Sequence, residues 1–96
     1  MITLLSKFEA RHAQAASDLM ALLLELRSSV GNEDGHLSYQ ILSTADDRLT
    51  LWVLESWESH ADADRHGQLV VSNGAVGRAT PLLVAPIVTA RVTADQ

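Results

Sequence analysis

The sequence predicts an α+β domain of order β-α-β-β-α-β, the ferredoxin-like split βαβ unit on one antiparallel sheet. Three observations carry this. Leucines recur at helical spacing over residues 15–30. Two alternating stretches, 36–43 and 48–57, flank the turn-forming TADD. A second helical stretch, interrupted by SNG and stopped by Pro81, precedes a last strand-like run. At 96 residues the chain suits a single domain covering 1–96.

The elements follow in order. ITLLSKFEA (2–10) alternates Ile2, Leu4, Ser6, Phe8 against Thr3, Leu5, Lys7, Glu9 and reads as the first strand. In AASDLMALLLELRSSV (15–30), Leu19, Leu22, Leu23, Leu26 and Val30 fall on one helical face, and VGNEDG ends the helix. HLSYQILS (36–43) sets Leu37, Tyr39 and Ile41 against Ser38, Gln40 and Leu42; TADD (44–47) turns it into RLTLWVLESW (48–57). Ser59 is placed to cap a second helix from about His60 to Val71, with Asp62 and Asp64 near its positive end. LLVAPIVTARVTA (82–94) is the last strand, and Pro86 assigns it to a sheet edge or a bulge.

Composition bounds the function. The chain is 47% hydrophobic and 20% charged, hence globular, and its four aromatics (Phe8, Tyr39, Trp52, Trp57) leave a mainly aliphatic core. A net charge of −5 with scattered basic residues argues against nucleic acid as partner. Without cysteine there is no disulfide, thiolate metal site or cysteine nucleophile, and no dinucleotide, P-loop or nucleophile-elbow signature is present. No stretch has the length of a signal core or a membrane span, so a soluble cytoplasmic protein is expected.

The strand at 48–57 is apolar on both faces: Leu49, Leu51, Val53, Glu55 and Trp57 on one, Thr50, Trp52, Leu54 and Ser56 on the other. Both crossover helices fall on one face of such a sheet. The other is expected to be covered by the same face of a second copy, giving an obligate homodimer with roughly 2,000 Å² or more buried.

On the covered face Glu55 and Trp57 stand two residues apart. Burial would raise the Glu55 carboxyl toward neutrality and suit it to acid–base work; the plainer reading is a strand-end residue pairing with a nearby base. Trp57 is either simple core or a wall on which a flat substrate stacks. Ala63, His66, Leu69 and Val70 share a helical face turned to the sheet, so His66 points inward, as a base or as a core histidine bonded to Glu55. Tyr39 belongs either to a pocket or to the dimer seam. His12, His36 and His60 lie at element ends and read as surface residues; no histidine pair has metal-ligand spacing, so no metal site is expected.

GHLSYQI (35–41), LWVLESWES (51–59) and ADADRH (61–66) together resemble the antibiotic biosynthesis monooxygenase family: a Gly-x-Leu-x-Tyr strand (Gly35, Leu37, Tyr39), a Glu-x-Trp strand (Glu55, Trp57) and a helix carrying His66. The resemblance implies a dimeric α+β barrel with a pocket between sheet and helices of each subunit. It also implies oxygenases that act on quinol- or anthrone-like substrates without metal or flavin. No histidine follows His66, which argues against the heme-degrading branch. The expected function is a cofactor-independent monooxygenase in which His66, oriented by Glu55, deprotonates a small aromatic substrate bound by Trp57 and Tyr39. Two other readings stand beside it: a non-catalytic dimeric ligand-binding module, and an isomerase or cyclase using the same pocket.

Overall fold

A computed structural model describes residues 1–93. The elements are β1 (Ile2–Glu9), α1 (Ala13–Val30), β2 (His36–Thr44), β3 (Asp47–Trp57), α2 (His60–Ser72), α3 (Ala75–Ala79) and β4 (Val88–Val92), with a 3₁₀ turn at Thr80–Leu82. The four strands form one antiparallel sheet in the order β2-β3-β1-β4, the ferredoxin-like arrangement predicted.

Alternation along β1 and β3 sorts the residues onto two faces. Leu4, Ser6 and Phe8 on β1 and Leu51, Val53, Glu55 and Trp57 on β3 are buried beneath the helices. Helix α1 lays Leu19, Leu22 and Leu23 on them, completing the main aliphatic core. Its first turn is capped by exposed His12, whose Nδ1 accepts from the Ala15 N–H at 3.1 Å. A second, smaller core joins Leu4, Val30, Trp57 and Ala63 where the chain leaves α1 and enters α2.

The opposite face carries no helix. Leu5, Leu42, Trp52 and Leu54 lie half-buried there, and Val88 is 62% exposed.

Four sequence expectations are corrected. Leu37 does not share a face with Tyr39: a bulge between His36 and Ser38 pushes it out, 47% exposed, and places His36 opposite Trp57 on the covered face. His36 is therefore no surface residue, since its ring meets Trp57 edge-on at 5.4 Å. The last strand does not begin at residue 82. Pro81 opens the 3₁₀ turn, Leu83 makes only an isolated bridge to Ala10, and regular pairing with β1 starts after Pro86, at Val88. Ala94, the predicted end of that strand, lies outside the described residues. Leu69 is 41% exposed, so the inward face of α2 narrows to Ala63, His66 and Val70.

Candidate active site

Ser59 starts α2 by accepting from the Asp62 N–H, and its hydroxyl donates to the Asp62 carboxylate at 2.8 Å. Beneath this turn runs the short loop after α1. Gly35 there has φ 78°, and a Cβ on it would fall 2.2 Å from the Asp62 side chain, so only glycine lets loop and helix approach. The Gly35 carbonyl accepts from the Glu58 N–H at 2.8 Å, and the Glu33 N–H donates to the Val30 carbonyl at 3.0 Å. These bonds hold the Glu33 side chain against α2.

His66 sits at the meeting point, 9% exposed. Its Nδ1 lies 2.8 Å from Glu33 Oε1. A carboxylate only accepts, so Nδ1 carries the hydrogen and donates it, leaving Nε2 as the basic nitrogen. Nε2 lies 3.7 Å from Glu55 Oε2, beyond hydrogen-bond reach. The histidine is thus oriented by Glu33, and in place of the expected His66–Glu55 hydrogen bond there is a longer contact of ion-pair range. The imidazole packs on Trp57 at 4.8 Å between centroids, the planes inclined 31°.

Beside this cluster is a cavity of about 310 Å³ between the sheet and α1, α2 and α3, near the small end of ligand-site volumes of ~300–1,000 Å³. Glu55, His66 and Tyr39 line one part, and the hydroxyls of Ser6 and Thr89, 2.8 Å apart, another. The remaining wall is largely aliphatic, with Leu22, Leu26, Val53, Val70 and Ile87. Three of the four residues singled out in the sequence therefore share this space. Trp57 does not: it is wholly buried behind His66, and its indole N–H makes no hydrogen bond among the described residues, although its dipole still favours an ionised Glu55. Glu33 was missed by sequence reasoning, as it lies in an irregular loop where no periodicity marks a side chain's direction. No cluster of three or more metal-ligating side chains occurs among the described residues.

Burial holds the Glu55 carboxyl above its ordinary value of 4.5; the His66 charge opposes this and the Glu33 charge adds to it. Burial, reinforced by the Glu55 charge, likewise pushes the Tyr39 phenol up. For Glu55 the folded chain holds the proton more tightly than the unfolded chain. Stability therefore falls as pH rises from the ordinary glutamate value through the raised folded one, and the full penalty persists above it. Glu55→Gln removes this ionisation. Urea unfolding of both forms from about pH 4 to about pH 8 is expected to show wild type losing stability relative to the variant as pH rises.

No helix among the described residues is long and apolar enough to cross a membrane. The family model for antibiotic biosynthesis monooxygenase matches residues 1–70, a span that holds Glu33, Tyr39, Glu55, Trp57 and His66. A Deinococcus radiodurans protein assigned to the antibiotic biosynthesis monooxygenases superimposes with a TM-score of 0.87 at 21% identity, over 100% of this chain and 94% of that one. Rv0793 of Mycobacterium tuberculosis gives a TM-score of 0.86 at 24% identity, over 99% and 95%. SnoaB of Streptomyces nogalater, a cofactor-independent oxygenase, gives 0.83 at 14%, over 99% and 93%. At these identities the likeness is one of fold. No curated protein matches the sequence.

Proposed function

Since the chain belongs to the antibiotic biosynthesis monooxygenase family, we propose that it oxygenates a small quinol- or anthrone-like ring with O₂ as the only co-substrate. The observation that carries this reading is His66: its Nδ1 is engaged by Glu33 and its Nε2 is left basic beside a mainly aliphatic cavity. A phenolic O–H placed at Nε2 gives up its proton there. The resulting imidazolium lies between two carboxylates, 2.8 Å and 3.7 Å away, which favour the charge as it develops. The substrate anion is then electron-rich enough to reduce O₂ directly. Carbon–oxygen bond formation and loss of water give the oxygenated product: a quinol plus O₂ yields a hydroxyquinone plus H₂O, with all four electrons drawn from the substrate. Tyr39 borders the ring site. Trp57 acts from behind, setting the plane of His66.

Oxygen uptake with one- and two-ring quinols is the direct test. Uptake coupled one-to-one to hydroxyquinone formation is the expected result. Binding without uptake would leave a ligand-binding module, and anaerobic conversion of the substrate would make the protein an isomerase.

The same reading includes a homodimer through the helix-free sheet face. Leu5 and Leu54 are cross-strand partners at the middle of that face, with Trp52 and Leu42 paired beside them. A stripe of this kind in water is costly, and a two-fold copy of itself is its simplest cover. Light scattering at low micromolar concentration is expected to give twice the 10.4 kDa chain mass. Leu54→Asp, which places a charge in the seam, is expected to shift the species toward monomer.

A further inference from the structure

The cavity has a neighbour. A groove between α2 and β4 is lined by Gln68, Val71, Ser72, Asp64 and Arg91 and shares Leu4, Ala63, Gly67 and Thr89 with the cavity. The two spaces thus meet along four residues, and Gly67 alone of these places no side chain at the boundary.

Neither the backbone nor the packing calls for a glycine here. Gly67 lies inside a thirteen-residue helix, where glycine is the least favourable residue after proline. Its φ is not positive; Gly35 and Gly74 are the only described glycines in that region. A Cβ built on it meets nothing within 4 Å. What the residue contributes is empty space at the join of cavity and groove. We propose that Gly67 keeps open a throat through which a substituent on the bound ring passes into the groove. This rests on the ring-binding reading above and extends it to the substrate class: an aromatic ring carrying a short uncharged chain.

The groove's chemistry sets that class. Leu4 and Val71 offer apolar contact, and Gln68 and Ser72 offer hydrogen bonds. The one cation lining it among the described residues, Arg91, is already engaged by Asp64 and by His60 Nδ1 at 2.6 Å, so it is not free to meet an ionic tail.

The test uses 1-naphthol and 2-hexyl-1-naphthol as probes, titrated calorimetrically into wild type, Gly67→Ala and Gly67→Val. Wild type is expected to bind the hexyl compound at least about tenfold more tightly, because the chain leaves water for the groove. Gly67→Val should erase that gain while changing 1-naphthol affinity less than about twofold. Gly67→Ala should raise the melting temperature by several degrees, since alanine is the better helix former, and should weaken the hexyl compound less than Gly67→Val does, because its single Cβ still meets nothing within 4 Å. Unchanged affinity for the hexyl compound in both variants, or equal losses for both probes, overturns the throat. So does a wild type that binds 1-naphthol but not its hexyl derivative, although the ring-binding reading then survives. A wild type that binds neither overturns both.

Discussion

His66→Ala is expected to lower kcat for quinol oxygenation by about 10²- to 10⁴-fold, the usual worth of a positioned general base. The variant should remain folded. His66 is not a member of the second core but packs on its Trp57, and Trp57, Leu4, Val30 and Ala63 still pack on one another without it. Glu33→Ala tests the other half of the arrangement. It removes the carboxylate that fixes the imidazole tautomer, and a charge-assisted hydrogen bond of that kind contributes about 1.5–3 kcal/mol, or roughly a 10- to 150-fold loss of rate. Glu33→Gln keeps an acceptor at the same place and should recover part of that loss. The ¹⁵N shifts of the His66 ring give an independent readout: Nδ1–H dominates in wild type and in Glu33→Gln, and the tautomers mix in Glu33→Ala. Oxygen uptake by His66→Ala within a factor of about three of wild type would remove the base role altogether.

The contrast between His66 and Glu33 shows where sequence reasoning reaches. His66 could be placed because α2 repeats every 3.6 residues, and Ala63 and Val70 mark its inward face. Glu55 could be placed because β3 alternates from Leu51 onward, and Leu51 and Val53 before it are buried. Both are local periodicities read outward from a core. Glu33 has no such neighbourhood. Its position depends on the left-handed turn at Gly35 and on Asp62, which fills the space a Cβ would need, a contact across twenty-seven positions of sequence. The Leu37 bulge hides for a related reason. A single inserted residue reverses which side chains face the core, and HLSYQILS reads equally well without it. The element order was legible from patterning. The orientation of the His66 ring depends on the Glu33 loop, and the outward turn of Leu37 on a bulge, neither of which patterning encodes.

Trp57→Ala is expected to be the most destabilising single change in the chain, at about 3–5 kcal/mol. Trp57 is 0% exposed and joins Leu4, Val30 and Ala63 with the rings of His36 and His66, so no side chain is free to collapse into the void. Domains of this kind have total stabilities of about 5–15 kcal/mol, so the loss takes about a fifth or more of what holds the fold. Trp57→Phe separates packing from polarity. The indole N–H is buried without a hydrogen-bond partner among the described residues, so removing it sacrifices no formed hydrogen bond, only its favourable effect on an ionised Glu55. Phenylalanine keeps an aromatic face for His66 and leaves only a small void, at about 1–2 kcal/mol. Urea unfolding at one fixed protomer concentration, so that association contributes equally to every form, gives both differences. If Trp57→Phe proves as damaging as Trp57→Ala, the indole N–H has a partner, and Trp57 does more than back the imidazole. If instead Trp57→Phe keeps both its stability and its oxygen uptake, a flat ring behind His66 is all the site requires there. Substrate contact then falls to Tyr39, Glu55 and the aliphatic wall.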